Sequence, residues 1–379
     1  MKKSYIALLA SLVFLSSCKN SDNGNPDLIY HVNLERDINN ISSIPLSYLG
    51  SKLEYIPLET DHACMIRGIS NLSVSDSLLF VSDHYRLLVF DRRGKYKRQI
   101  GSTGRGPGEY SRVLDFVVDK KNNEVYVLSA RQVLVYDFNG QFKRDFKFSF
   151  PCSQFVLNEK DELVLHPINI AQATDEPVYS WYILNKNGKS KTKIINTLKR
   201  VNGGIAIPMS PLYMYNGTLH FMEFGIDTLY SYENHEKRPH AIFQAGNLKF
   251  PPDPTLEEVP TINGKIWVSD VLETKKSFFI KIWWDVSVSI SNCVYDKLTS
   301  KFTILKNNGF TNDIDGGISF WPETIINDSL MIDFADAFDL IKYSKDKNNS
   351  ENREQTSPLE DVIKNLTESS NPVIIILYP

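Results

Sequence analysis

The sequence predicts an all-β fold, a β-propeller of six four-stranded antiparallel blades with one short C-terminal helix. A turn motif recurs with its glycine at Gly94, Gly140 and Gly188, in steps of 46 and 48 residues. Aromatic residues make up 12% of the 379 residues and are mostly Tyr and Phe, which favour strands. Four short strands in each step of about 46 residues match the blade of a propeller.

The first three blades contain the clearest copies of the repeat. In each copy apolar residues alternate through a strand, Asp or Asn begins a two-residue turn, and glycine takes the positive φ that the turn requires. A second pair of alternating segments precedes each copy and completes the four strands. The copies are residues 87–96, 133–142 and 182–189, and the preceding pairs are 72–83, 115–128 and 155–165.

The later blades are less regular, so the sequence is also compatible with seven blades. The predicted strands of blades 4 and 5 are 212–221, 228–232, 241–243, 264–268, 278–284, 293–296 and 302–305. The last blade takes 324–326, 329–332 and a C-terminal strand at 373–378. Two N-terminal strands, 28–34 and 53–58, precede the first repeat. Pairing one of them with the last blade would close the ring and remove an exposed strand edge.

Between the last two strands the sequence predicts a linker followed by a short helix. Residues 344–356 are charged and rich in Asn, which is typical of a solvated linker. Ser357 and Pro358 then match the cap and first position of a helix. Val362, Ile363 and Leu366 give this helix one apolar face.

The N-terminus predicts export and a lipid anchor. Lys2 and Lys3 precede an apolar stretch, 6–15, which is too short to span a bilayer. The segment Leu15-Ser16-Ser17-Cys18 resembles the lipobox of bacterial lipoproteins, in which the cysteine thiol receives the lipid. We therefore predict a signal peptide at 1–17, lipidation (palmitate included) at Cys18, a flexible tether at 18–27 and a propeller domain at 28–379. The predicted location is the outer membrane, facing the periplasm or the cell surface; a plain secretory signal is the alternative.

Charge and cysteine content exclude two classes of protein. The chain has 42 basic and 45 acidic residues, a formal net charge of −3, which argues against a nucleic-acid partner. The spacing of Cys64, Cys152 and Cys293 matches no zinc ligand pattern. After Cys18, this odd number of cysteines allows at most one disulfide, and we predict buried free thiols.

Two loops carry a resemblance to known propellers. The glycine-rich segment 104–110 (GRGPGEY) resembles the link between blades of NHL-repeat propellers. Together with 55–60 (YIPLET), 312–317 (NDIDGG), Trp321-Pro322, the late helix and 371–374, it makes residues 28–379 similar to the six-bladed β-propeller lipoproteins of Gram-negative gut bacteria. This resemblance implies the fold and the location, and it implies no activity.

The same two loops supply the candidate ligand-binding residues. The glycine-rich link is no phosphate loop, because Pro107 removes a donor and no lysine follows the last glycine. In NDIDGG the spacing of two aspartates offers oxygen ligands for Ca²⁺, although a plain Asx turn has the same residues. The candidates are Arg105, Glu109, Tyr110, Asp313, Asp315 and Trp321. Of these, Arg105, Glu109, Asp313 and Asp315 are expected to lie near one channel entrance and bind a polar ligand.

No catalytic motif stands out in the sequence. The HExxH, G-x-S-x-G and Asp-box patterns are all absent. His84, His166 and His220 fall near the ends of predicted inner strands, where a propeller enzyme gathers metal ligands. We predict a non-catalytic module that binds a ligand or another protein. The alternatives are a lyase or hydrolase with a metal or carboxylate site at the channel mouth, and a structural part of an outer-membrane assembly. The expected partners are the membrane, through the lipid, and an envelope protein, peptide or glycan.

Overall fold

The computed structural model describes residues 28–168, 179–195, 210–223, 225–234, 236–251, 264–285, 289–348 and 357–379. The predicted signal peptide, Cys18 and the tether lie outside these residues. Among the described residues, no helix is long and apolar enough to cross a membrane.

The strands are grouped into an N-terminal segment and six blades. The N-terminal segment contains β1 (Tyr30–Asn33), β2 (Ile41–Ser42) and β3 (Lys52–Pro57). Blade 1 contains β4 (Asn71–Val74), β5 (Leu78–Ser82), β6 (Leu87–Asp91) and β7 (Tyr96–Ile100), and a small parallel pair follows it, β8 (Ser102–Thr103) and β9 (Glu109–Tyr110). Blade 2 contains β10 (Asp115–Asp119), β11 (Glu124–Ser129), β12 (Gln132–Asp137) and β13 (Phe142–Lys147). Blade 3 contains β14 (Cys152–Leu157), β15 (Glu162–Pro167), β16 (Tyr179–Asn185) and β17 (Ser190–Ile195).

The second half of the chain supplies the remaining blades and two of the three helices. Blade 4 contains β18 (Leu212–Tyr215), β19 (Thr218–Met222), β20 (Thr228–Glu233) and β21 (Glu236–Gln244). Blade 5 contains β22 (Trp267–Glu273), β23 (Ser277–Asp285), β24 (Ser289–Asp296) and β25 (Lys301–Leu305). Blade 6 contains β26 (Thr324–Ile326), β27 (Leu330–Ala335) and β28 (Val373–Tyr378). The helices are α1 (Leu34–Asp37), α2 (Ala337–Asn348) and α3 (Pro358–Ile363).

The blades form a closed ring of six. Each inner strand contacts the next one around the ring, from β4 through β10, β14, β18, β22 and β26 and back to β4. The buried apolar residues form six clusters, and each cluster lies between two neighbouring blades. Burial between blades thus holds the ring together, and the predicted six-bladed propeller is confirmed.

The glycine turns that define the repeat have the predicted geometry. Gly94, Gly140 and Gly188 have φ values of 78°, 83° and 78°. In the first turn the Asp91 carboxylate accepts hydrogen bonds from the backbone N–H groups of Arg93 and Lys95. The aspartate therefore orders the turn, and glycine supplies the left-handed conformation that other residues adopt at a cost.

Residues 30–57, here called the N-terminal belt, run along the outer edges of three consecutive blades. β1 pairs in parallel with β21 of blade 4, and β2 pairs in parallel with β25 of blade 5. β3 then pairs antiparallel with β28 as the outer strand of blade 6. Ring closure by an N-terminal strand is confirmed, and the strand that closes the ring is the second of the two predicted.

The C-terminal region contains one helix that the sequence analysis predicted and one that it did not. Ser357 caps α3, since its Oγ accepts a hydrogen bond from the Glu360 N–H at 3.3 Å. The linker predicted at 344–356 is wrong for residues 344–348, because α2 extends to Asn348. Leu340 is fully buried on this helix, and Tyr343 donates a hydrogen bond of 2.7 Å to the Gly316 carbonyl. Burial of this one narrow face stabilises a helix whose other residues are mostly charged.

Candidate functional site

The glycine-rich link packs against blades 1 and 2. Arg105 is exposed, while the Glu109 Oε2 atom accepts a 2.7 Å hydrogen bond from the Gly106 N–H. Tyr110 is fully buried, and its hydroxyl group donates to the Ile100 carbonyl at 2.7 Å. Burial raises the pKa of Tyr110 to about 12. Two of these three residues thus stabilise the link itself, and their ligand role stays a prediction.

The NDIDGG turn lies between blades 5 and 6 and contacts the N-terminal belt. Asp313 accepts hydrogen bonds from the Ser47 N–H at 2.9 Å and the Ser47 hydroxyl at 2.6 Å. These bonds lower the pKa of Asp313. Asp315 accepts hydrogen bonds from the Tyr55 hydroxyl at 2.9 Å and from the Gly317 N–H at 3.1 Å. Both carboxylates therefore hold the belt against this turn, and Ca²⁺ binding here stays a prediction.

Trp321 lies behind this turn and is buried. Its ring contacts Phe279 edge to face, with 6.0 Å between the ring centroids. Its backbone N–H donates a 2.8 Å hydrogen bond to the carboxylate of Asp333. The link and the turn share no hydrogen-bond partner among the described residues, so nothing in these bonds joins the two loops into one site.

The three histidines singled out in the sequence have different surroundings. His84 is exposed in a loop, with a φ of 69°. His166 is buried and stacks on Trp181, with ring centroids 4.4 Å apart. His220 lies close to His240, with ring centroids 4.4 Å apart. Only His220 belongs to a group of residues that are able to act together.

That group, here called the His–Glu cluster, consists of His220, His240, Glu273, Lys297 and Tyr213. It lies between blades 4 and 5: Tyr213 and the two histidines belong to β18, β19 and β21, and Glu273 ends β22. The turn after β22 is fixed by a hydrogen bond of 3.2 Å from the backbone N–H of Ser277 to the Thr274 hydroxyl. This turn sets the position of Glu273 at the end of its strand.

Glu273 is the centre of the cluster. Its Oε1 atom lies 2.8 Å from the His240 Nε2 atom and 2.5 Å from the Lys297 Nζ atom. Its Oε2 atom accepts a 2.7 Å hydrogen bond from the Tyr213 hydroxyl. Burial raises the pKa of Glu273, but the hydrogen bond from His240 and the charge of Lys297 outweigh burial and hold the pKa at about 2. The carboxylate is therefore ionised at neutral pH, although it is buried.

Burial also changes the pKa values of Lys297 and His220. Burial lowers the pKa of Lys297, whose ammonium group lies 4.4 Å from the ring centroid of Phe278 and donates to the Thr274 carbonyl at 2.7 Å. Burial also lowers the pKa of His220 to about 4. The His220 Nδ1 atom lies 3.1 Å from the Thr218 carbonyl oxygen. Because a carbonyl only accepts, Nδ1 carries the proton and Nε2 keeps its lone pair.

A small open cleft, with a cavity volume of about 30 Å³, lies at the same interface between blades 4 and 5. It begins at Met222 and Val268, whereas the cluster lies at His220 and Glu273. At about 3.3 Å per residue, Val268 and Glu273 are separated by roughly 17 Å along β22, and Met222 and His220 by roughly 7 Å along β19. The cleft, here called the interblade cleft, shares no lining residue with the cluster, and both lie at one blade interface.

The interblade cleft is mainly apolar, with a few polar groups. Asp227 and Lys249 form an ion pair at its wall. Glu223 is buried and bound by Lys237 at 3.3 Å. Ser210 is also buried, and its Oγ atom has no hydrogen-bond partner among the described residues.

Sequence reasoning missed His240, Glu273 and the cleft. His240 is on a strand with an irregular register, because the β20–β21 pairing shifts between Leu229 and Tyr230. Glu273 is 33 positions away from His240 and belongs to the next blade. The signal in the sequence is an acidic residue at the end of an inner strand beside a turn, and that signal is common.

The geometry defines a six-bladed β-propeller with polar sites between its blades. The chain belongs to the family described as "Domain of unknown function (DUF4934)", whose model matches residues 29–378. A protein from Bacteroides fragilis described as exported has a similar crystal structure, with a TM-score of 0.69 and 17% identity over 92% of this chain and 99% of that one. A member of the DUF4221 family from Bacteroides vulgatus gives a TM-score of 0.48 and 12% identity, over 67% of this chain and 84% of that one. No curated protein matches the sequence. The likeness to the Bacteroides fragilis protein shows the fold alone.

Proposed function

We propose that this protein is a non-catalytic binding module, anchored to the outer membrane by a lipid on Cys18, that holds a small ligand in the interblade cleft. The observation that carries the proposal is a mainly apolar cleft with a few polar groups at its wall. Mainly apolar linings with a few polar groups that orient the ligand are usual for small-molecule sites. The cleft has such a lining, in a cavity of about 30 Å³ that opens to solvent.

The polar groups of the cleft suit recognition of a ligand with one polar end. The buried hydroxyl group of Ser210 lacks a partner among the described residues, and a ligand would supply one. Lys249, which is paired with Asp227, belongs to the same lining, and its remaining N–H groups are donors for a ligand. A cavity of this size admits a small group at the end of a peptide or glycan, the partners expected from the sequence, while the rest of such a ligand would lie outside it.

The proposed module is non-catalytic because both carboxylates in the cleft are in ion pairs. Glu223 and Asp227 are each bound by a lysine, Lys237 and Lys249. A carboxylate in an ion pair with lysine is a weak general base, because the cation stabilises its charge. The carboxylates therefore support binding.

Binding in the cleft is tested with the fluorescent probe anilinonaphthalene sulfonate. Ile226 is half-buried at the cleft wall, so Ile226→Trp should fill the cleft and weaken binding of the probe about tenfold or more. Ile41→Trp is the control, because Ile41 is 60% exposed on β2 and outside the cleft lining. Equal probe affinity in both variants would contradict the proposal.

The anchor is tested by metabolic labelling with a fatty-acid analogue. Cys18→Ala should abolish the label, because the thiol is the acceptor of the lipid. Cys64→Ala is the matched control, since Cys64 is a buried free thiol within the propeller. Undiminished label in Cys18→Ala would refute the lipoprotein assignment.

A further inference from the structure

The His–Glu cluster has a geometry that the binding function above does not use. His220, His240 and Glu273 each offer one ligand atom, and these atoms lie within 4.8 Å of one another. A tetrahedral zinc site has bonds of about 2.0–2.2 Å, so its ligand atoms are separated by roughly 3.3 Å. Side-chain rotations that move each ligand atom by about 1 Å would bring the three atoms to this separation. We propose that His220, His240 and Glu273 bind a divalent transition-metal ion of the Zn²⁺ class.

His220 is the first independent observation in favour of a metal. It is 4% exposed, and its Nδ1 atom is held by the Thr218 carbonyl. Its Nε2 atom has no hydrogen-bond partner in the described parts of the chain. Histidines that bind metals commonly donate their other ring N–H to a backbone carbonyl, which fixes the ring and leaves one nitrogen for the ion.

Glu273 has a comparable arrangement around its two oxygens. Tyr213 donates to Oε2 and so orients the carboxylate from behind. Oε1 faces the His240 Nε2 atom at 2.8 Å and is the oxygen that an ion would take. Binding would also require the proton on His240 Nε2 to move to Nδ1 or to solvent, because a ligating nitrogen carries no proton. Two imidazoles and one carboxylate form a donor set that suits Zn²⁺, Co²⁺ or Ni²⁺, whereas Ca²⁺ and Mg²⁺ require more oxygen ligands.

Lys297 sets the affinity of the proposed site. Its ammonium group lies 2.5 Å from the Glu273 Oε1 atom, the position that a metal ion would take. Binding of the ion requires the ammonium group to withdraw, and the Thr274 carbonyl already accepts one of its hydrogen bonds. The lysine therefore competes with the metal, and removing its charge strengthens metal binding. If the cluster were a purely structural ion-pair network, removing the Lys297 charge would not strengthen metal binding. Glu273 would then lose its partner without gaining another.

The experiment is titration of the full mature chain, free of affinity tags, with Zn²⁺ and with Co²⁺. We expect one ion per chain by calorimetry and the visible absorption bands of four-coordinate Co²⁺. Lys297→Met should bind Zn²⁺ about tenfold more tightly than the wild type. His240→Gln should weaken binding about a hundredfold; His240 is chosen because it is the more exposed of the two histidines, with a side chain 19% exposed.

Two controls keep the proposal falsifiable. His166→Gln changes a histidine that is also 4% exposed but lies in blade 3, so it should leave the affinity for Zn²⁺ unchanged. Thermal unfolding of each variant establishes that it is folded. Absence of Co²⁺ bands in both the wild type and Lys297→Met would overturn the proposal, and so would equal Zn²⁺ affinity in His240→Gln and His166→Gln. Neither result bears on binding in the interblade cleft.

Discussion

His166 shows how burial changes a residue that the sequence marks only as polar. It belongs to β15, stacks on Trp181 and is 4% exposed. Its Nδ1 atom is buried without a hydrogen-bond partner in the described residues. Burial lowers its pKa to about 4, below the usual 6.5. The folded protein therefore keeps this imidazole neutral, while the unfolded chain binds a proton below pH 6.5.

The consequence for stability has a definite sign. The stabilising contribution of neutral His166 is fully present above pH 6.5 and is lost as the pH falls toward 4, by up to about 3 kcal/mol. His166→Phe keeps the stack on Trp181 and removes both the titration and the unpaired nitrogen. We expect this variant to be as stable as the wild type at pH 7.5 and more stable at pH 4.5. Denaturant unfolding at the two pH values measures the difference, and an unchanged difference between the proteins would contradict the prediction.

Single residues were the hardest part to predict from the sequence. His84, His166 and His220 looked alike, because each lies near the end of a predicted strand. The difference among them arises from the neighbouring blade: His166 packs against Trp181, whereas His220 meets Glu273 of blade 5 through His240. Alternation along one strand reports which residues share a face, and it does not report what that face contacts.

Turns and strands were largely predictable at the scale of the element. Alternating apolar residues and Asp-to-glycine turns depend on local conformation, so the repeats at Gly94, Gly140 and Gly188 were found correctly. α2 was missed because its single apolar face is narrow and its C-terminal residues are charged. α2 is stabilised by contacts with the 312–317 turn. These contacts lie outside the helix, so the periodicity of the helix sequence does not predict them.

Gly94 tests what the repeat turn requires beyond a positive φ. A Cβ atom at Gly94 would lie 2.0 Å from the carbonyl oxygen of Pro57, the last residue of β3. Gly264 has the same φ of 78°, but a Cβ atom there would have no atom of the described residues within 4 Å. We expect Gly264→Ala to lower the free energy of unfolding by about 1 kcal/mol, the cost of the left-handed conformation. Gly94→Ala should cost several kcal/mol, since the clash with backbone adds to it.

Chemical denaturation of both variants at neutral pH gives the comparison. The positive φ is matched, so the difference between the two losses measures the close approach of blade 1 to β3. Equal losses in the two variants would show that this contact yields at little cost.

The whole molecule is a ring whose closure the sequence predicted only in outline. An N-terminal strand in the last blade was expected, because an open propeller leaves a strand edge exposed. The parallel pairing of β1 and β2 with blades 4 and 5 was not expected. These strands are short, and their partners are determined by where the chain passes around the ring.

Truncations of the N-terminal belt distinguish the contribution of β1 and β2 to stability from that of β3, which closes the ring. Deleting residues 28–50 removes β1 and β2 but keeps β3, and we expect a lower melting temperature with cooperative unfolding. Deleting 28–57 also removes β3 and exposes β28, whose residues Val373 to Leu377 are all buried. We expect this variant to lose cooperative unfolding by calorimetry. Deleting only the tether, 19–27, is the control and should have no effect; identical results for the two longer deletions would contradict ring closure by β3.

The pairing of β3 with β28 also determines the order in which the molecule is able to fold. Tyr378 and Glu54, on these two strands, form a hydrogen bond across 324 positions of sequence. Contacts between such distant residues form slowly, because the chain entropy of closing the loop must be overcome first. The strands within each of blades 1 to 5 are, by contrast, close to one another in sequence. We therefore expect the central blades to form first and the pairing of β3 with β28 to complete the ring last.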